Sequence, residues 1–94
     1  MAPPSALVVG SGISGITAAH RLHERGWNVT LIESSNRVGG VIQSQRIDGY
    51  LCEDGPNSML IRSEAVRTFI SRLGLDERLT PANTEASKRF IVRG

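Results

Sequence analysis

Cysteine is all but absent: Cys52 is the single one in 94 residues. One thiol makes no intrachain disulfide and no Cys-x-x-Cys metal site, so the chain suits a reducing compartment. Cys52 itself reads as a small apolar strand residue. Long apolar runs are also missing. No stretch nears the roughly 18 residues that mark a membrane-spanning helix. Residues Met1 to Ser5 lack the basic segment that opens a secretory signal. What remains is a soluble or peripherally membrane-associated protein, with a cytoplasmic setting. Clustered positive charge is lacking too. The net charge is only +2, and the basic residues are scattered, with no run longer than Lys88-Arg89. Nucleic acid recognition calls for a basic stripe, so nucleic acid is not an expected partner. His20 and His23 sit three apart on one expected helix, and no metal site is expected there.

What is present is an ordinary globular balance, 39% apolar and 21% charged residues, in a length that suits one small domain. Ala6-Leu7-Val8-Val9 is a short apolar run ending at Gly10, which predicts a parallel strand buried on both faces. A glycine loop follows, and then a helix is expected over Ile13 to Arg25. Ile16, Ala19, Leu22 and His23 fall roughly on one face, and Gly26 stops it. Val29 to Ile32 reads as a second buried strand, ending at Glu33. The order strand, glycine turn, helix, strand is half of a doubly wound α/β sheet.

Further along, Asp48-Gly49 between Val41–Ile47 and Tyr50–Cys52 signals a hairpin, since a type I′ turn needs positive φ at both central positions. Gly55-Pro56-Asn57 must turn. Ser63 can cap a helix from Glu64 to Leu73 whose Val66, Phe69, Ile70 and Leu73 line one apolar face, with Gly74 as its stop. Leu75 to Leu79 suggests a short turn, Pro81 to Ser87 a loop and Arg89 to Arg93 a strand.

Three motifs carry chemistry. Gly10-Ser11-Gly12-Ile13-Ser14-Gly15 joins an expected strand to an expected helix, the context that gives a Gly-x-Gly-x-x-Gly pattern meaning. Gly10 permits the tight turn, Gly12 lets backbone approach a pyrophosphate, and Gly15 lets the helix pack close to the strand. The helix start adds free N–H groups and a positive dipole end. Glu33 follows Gly15 by 18 residues, near the ~20 expected of a ribose-binding acid. Its carboxylate can accept from both ribose hydroxyls and would repel a 2′-phosphate, which disfavours NADP. Arg37-Val38-Gly39-Gly40 then offers a second place for backbone to meet phosphate, with Arg37 able to pair through its planar fork. Its bland alternative is a solvated Arg in a surface loop.

Together, Gly10-x-Gly12-x-x-Gly15, Glu33 and Arg37-x-Gly39-Gly40 resemble the start of the flavin-dependent amine oxidase and protoporphyrinogen oxidase superfamily. The rest looks most like the protoporphyrinogen oxidases. The residues that carry this are Ser44, Asp48-Gly49-Tyr50, Glu53 through Ser58, Leu73-Gly74-Leu75 and Lys88 through Val92. Val41 stands where amine oxidases often carry Arg. The resemblance implies a Rossmann-type βαβ dinucleotide-binding unit with an added β-hairpin and helix, an incomplete doubly wound sheet. It implies FAD as cofactor, held by Gly10 to Gly15, Glu33 and Ser34 at the ADP half. Arg37, Gly39, Gly40, Val41, Gly55, Pro56, Asn57 and Ser58 would lie along the cofactor toward the flavin. The implied reaction is oxidation of a porphyrinogen to a porphyrin in haem biosynthesis, with oxygen as acceptor. Peripheral membrane association of a full-length enzyme goes with it. Residues 1–94 are then expected to be the N-terminal part of an FAD-binding domain, truncated, without its substrate domain and inactive alone. No catalytic acid or base is named in them. The alternatives are another FAD-dependent enzyme, such as an amine oxidase or carotenoid desaturase, or a non-catalytic nucleotide-binding module.

Overall fold

The computed structural model describes residues 2–83, together with Glu85 and Val92. The strand expected at Arg89 to Arg93 lies outside these apart from Val92. The chain divides into two compact units, Met1–Asn57 and Ser58–Gly94.

The first unit begins with β1 (Ser5–Val9), α1 (Ile13–Glu24) and β2 (Asn28–Ile32). β1 and β2 pair in parallel, with Ser5 opposite Asn28 and Val9 opposite Ile32. The ladder is extended at one end by Gly10 N donating to the Ile32 carbonyl (2.8 Å) and at the other by Asn28 N donating to the Pro4 carbonyl (2.8 Å). Parallel strands need a crossover, and α1 supplies it. Gly26, at φ 86°, turns the chain out of the helix. The Trp27 amide then caps the last turn on the Leu22 carbonyl at 3.1 Å.

The expectation of strands buried on both faces does not hold. Ala6, Val8, Val29 and Leu31 are half-buried, whereas Leu7 (62% exposed), Val9 (76%) and Ile32 face outward. The physical reason is layer count: α1 packs on one face of a two-stranded sheet and nothing in this unit covers the other. His23, grouped roughly on one face of α1 with Ile16, Ala19 and Leu22, is exposed while those three are half-buried. Ile16, Ala19 and Leu22 suffice to line the covered face, and His23 sits beside them at its edge.

The hairpin forms from β3 (Ser44–Ile47) and β4 (Tyr50–Glu53), with Ile47 opposite Tyr50. Asp48 at φ 50° and Gly49 at φ 83° give the expected turn. β3 starts three residues later than the apolar pattern suggested. Gly39 and Gly40 both have positive φ, and the Ile42 amide turns back to the Gly39 carbonyl at 3.1 Å, so Val41 is still in the turn, while Gln43 only meets Asp54, whose amide donates to its carbonyl at 2.9 Å. Among the described residues the two strand pairs make two separate sheets.

In the second unit, α2 spans Glu64–Arg72. The Ser63 hydroxyl accepts from the Val66 amide at 3.1 Å, and Glu64 and Arg72 stand at the dipole ends that suit their charges. Gly74, at φ 72°, ends it, and a short 3₁₀ turn, Asp76–Arg78, follows. The apolar stripe exists, but only Ile70 is buried. Phe69 is half-buried, and Val66 and Leu73 are largely exposed, because one helix in a unit this small has too little around it to cover a whole face. No helix among the described residues is long and apolar enough to cross a membrane.

Candidate cofactor site

The glycine loop after β1 is set by three different requirements. Gly10 takes φ 99°, a conformation that favours glycine, and starts the turn. At Gly15 a Cβ would overlap the Gly10 carbonyl oxygen and reach within 3.6 Å of Val8 Cγ1, so α1 approaches the strand only through glycine. Gly12 is different. It is the extended N-cap of α1, and a Cβ there meets nothing within 4 Å. The side of the loop at Gly12 is open. Ile13 and Ser14, in the first turn of α1, are exposed, and that turn carries no acidic residue and no side-chain cap. α1 itself thus carries no acid to offset its positive end.

Glu33, one residue beyond β2, ties this loop down. Its Oε1 accepts from the Ser11 amide (2.9 Å) and the Ser11 hydroxyl (2.7 Å), and its Oε2 accepts from the Ser35 amide (2.8 Å). The Ser11 hydroxyl, then the amides of Ser35 and Ser11, hold the carboxyl at a pKa of about 2, so it is ionised throughout the neutral range. Ser11 is completely buried.

The second glycine loop docks on the first. The Gly39 amide donates to the Ser11 carbonyl at 2.7 Å. A Cβ on Gly40 would lie 3.1 Å from Gly12 Cα, so two backbones meet here almost in contact. Ser11 thus joins three segments: the turn after β1, the end of β2 and the Arg37–Gly40 loop. Arg37 lies in this loop and is exposed. Its guanidinium donates to the Gly40 carbonyl (2.6 Å) and the Val38 carbonyl (3.3 Å), closing its own loop. The cause is proximity, since carbonyls one and three residues away come within reach once Gly39 and Gly40 turn the chain back. Val41 follows on the exposed side, and its carbonyl faces Gly55, where a Cβ would overlap it. Pro56 and Asn57 close the first unit and Ser58 opens the second.

Between the carboxyl ends of the two parallel strands lies an open groove of about 220 Å³, lined by Val9, Gly10, Ile32, Glu33 and Ser34. Carboxyl ends of parallel strands are where ligands bind in open α/β sheets. Sequence reasoning named Gly10, Glu33 and Ser34 here but missed Val9 and Ile32, which it assigned to a covered sheet. It also missed Ser35, whose amide folds back onto the carboxylate two residues earlier. His20 lies 3.6 Å from Glu24 on the far side of a helical turn, and no cluster of metal-ligating residues occurs among the described residues.

Residues 13–94 match the profile of the flavin containing amine oxidoreductases, and the chain belongs to that family of FAD-dependent oxidoreductases. Its relatives include protoporphyrinogen oxidase 2 of Arabidopsis thaliana, 40% identical over 92% of this chain and 17% of the relative. Coproporphyrinogen III oxidase of Staphylococcus aureus is 39% identical over 92% of this chain and 19% of its own length. The chain therefore spans about a fifth of the relatives it matches. Among solved structures, a protein from Exiguobacterium sp. 255-15 described as a candidate protoporphyrinogen oxidase superposes with a TM-score of 0.68 and 36% identity, covering 82% of this chain and 18% of that one. A putrescine oxidase variant superposes with a TM-score of 0.64 and 37% identity, covering 76% of this chain and 16% of that one.

Proposed function

We propose that this chain is the N-terminal, Rossmann-type FAD-binding part of an enzyme that oxidises a porphyrinogen to a porphyrin, with oxygen as electron acceptor. One observation carries the cofactor half of the reading. The Gly10–Gly15 turn, Glu33 and the Gly39–Gly40 turn are joined at Ser11 beside an open groove at the ends of two parallel strands. The residues fit the ADP half of FAD. Gly12 leaves open the space a pyrophosphate needs, and the start of α1 directs a positive dipole end there. The Glu33 carboxylate is a ribose acceptor, and Val9 and Ile32 give the groove apolar walls suited to an adenine ring. Gly40, Val41 and the Gly55–Ser58 turn continue toward the flavin. Bound FAD supplies the redox chemistry, and these residues bind and orient it. No residue of this chain is assigned as an acid or base.

The porphyrinogen half rests on the relatives at 39–40% identity and on Val41, which stands where amine oxidases often carry Arg. Polyamine oxidation is the second reading, favoured by the superposition on putrescine oxidase. An exchange experiment separates them: this chain replaces the matching segment of the S. aureus coproporphyrinogen III oxidase and, separately, of the putrescine oxidase. The porphyrinogen chimera is expected to keep its flavin absorbance and produce fluorescent porphyrin, while the amine chimera oxidises putrescine poorly. The reverse pattern would favour the second reading, and loss of flavin from two folded chimeras would overturn the cofactor assignment.

A further inference from the structure

We infer that Arg37 is a positioning residue of the cofactor site: its guanidinium clasps the carbonyls of Val38 and Gly40, and so sets the second glycine loop on Ser11 before any nucleotide arrives. The inference rests on the FAD reading above and deepens it.

The chain from Glu33 to Gly40 is joined step by step. The Ser35 amide donates to Glu33 Oε2 at 2.8 Å. The Ser35 hydroxyl donates to the Arg37 carbonyl at 2.9 Å and also serves the Glu33 carboxylate, so one proton is shared between two acceptors. From there the Arg37 side chain takes over. Its Nη2 donates to the Gly40 carbonyl at 2.6 Å and its Nη1 to the Val38 carbonyl at 3.3 Å. Nη1 also lies 3.6 Å from where a Cβ on Gly39 would stand, so the fork spans Gly39 together with its two neighbours. Gly39 at φ 109° and Gly40 at φ 60° are two consecutive glycines, the residues with most conformational freedom to lose, and such a turn keeps one shape only if it is tied. Arg37 supplies two ties, beside the Ile42 amide on the Gly39 carbonyl and the Gly39 amide on the Ser11 carbonyl at 2.7 Å. The last of these lies inside the site, since Ser11 holds the Glu33 carboxylate and Gly40 faces Gly12 at the start of α1. Geometry matters here more than charge. The two carbonyls are met by two nitrogens of one rigid plane, whereas a lysine offers a single nitrogen and reaches both only if they converge.

The test compares the isotope-labelled 94-residue chain with Arg37→Lys and Arg37→Gln, first without nucleotide and then titrated with ADP. Without nucleotide, exchange of the Gly39 amide with solvent should quicken about tenfold in both variants, the scale of a hydrogen bond to a charged group. The scalar coupling across the Gly39–Ser11 hydrogen bond should weaken with it. Amides of β1 and β2 should exchange as before, since Arg37 is exposed and bonds only within its own loop. ADP affinity should then fall about tenfold in both variants alike. A charge acting on phosphate gives another pattern: Gly39 exchange without nucleotide stays at the wild-type rate, and Arg37→Lys keeps the ADP affinity that Arg37→Gln loses. That pattern overturns the inference and leaves the nucleotide reading standing. Unchanged ADP affinity beside a loosened Gly39 does the same. If ADP shifts no amide between Gly10 and Gly40 in the wild type, the nucleotide reading fails and the inference with it. Should an Arg37 variant not fold, Ser35→Ala and Ser35→Thr decide. The first takes the hydroxyl from the Arg37 carbonyl and should loosen the Gly39 amide, and the second keeps a hydroxyl and should restore it. No difference between the two overturns the inference.

Discussion

Residues 2–57 are held where backbone meets backbone, while residues 58–83 are held by side chains. In the first region Gly15 faces the Gly10 carbonyl, Gly40 faces Gly12 and Gly55 faces the Val41 carbonyl, each without room for ordinary contact by a methyl group. Ser11 and Glu33 then lock the segments with hydrogen bonds. In the second region a serine caps a nine-residue helix and one isoleucine is buried. Close backbone contact responds to substitution abruptly, because neither partner can rotate away. A cap and a partly covered stripe respond by degrees. The first kind of construction suits a surface that must hold a fixed shape against a ligand, and every candidate site residue except Ser58 belongs to it.

The sharpest way to break the contrast is Gly15→Ala. The new Cβ would overlap the Gly10 carbonyl oxygen, with the Gly10 carbonyl carbon at 3.0 Å, and both atoms are backbone. α1 must then lift from β1, so a loss of about 2 kcal/mol or more is expected, at the upper end for overpacking. A domain this small has little stability to spare. Urea unfolding measures it, and a change below about 0.5 kcal/mol would contradict the contact.

A smaller effect is expected in the second region. Ser63→Ala removes the acceptor of the Val66 amide and should cost about 1 kcal/mol, the usual loss for a helix cap. Amide exchange should rise in the first turn of α2 while protection in β1 and β2 stays as it was. Equal loss of protection in both regions would mean that the two do not respond separately.

Much of this was legible in the sequence, because glycine and cap positions act locally. Gly10, Gly26, Asp48-Gly49, Ser63 and Gly74 each punctuate the chain where pattern reading put them. What escaped was whatever depends on a third element. The exposure of Leu7 and Val9 follows from how many layers cover the sheet, which an apolar run does not encode. The carbonyls of Val38 and Gly40 that the Arg37 fork meets are brought round only by the Gly39–Gly40 turn. The spacing from Gly15 located Glu33 as a ribose acid, but the donors already on its oxygens come from Ser11 and Ser35.

The smallest expected effect on the fold is at Gly12, and it separates shape kept for the protein from shape kept for a ligand. Gly12 has φ −71° and ψ −178°, extended backbone that any residue adopts, and its built Cβ meets no atom within 4 Å. Nothing inside the protein therefore requires glycine at this position. Gly12→Ala should cost only about 0.5–1 kcal/mol, because alanine is a poorer N-cap than glycine. If the pyrophosphate comes to this open side, the added methyl occupies the approach, and ADP affinity should fall about tenfold or more. Urea unfolding and an ADP titration on the same sample read both quantities. Gly15 and Gly12, three residues apart in one loop, would then fail in opposite ways, the first in folding and the second in binding. A folded Gly12→Ala chain that binds ADP as tightly as the wild type would move the phosphate cradle away from this loop.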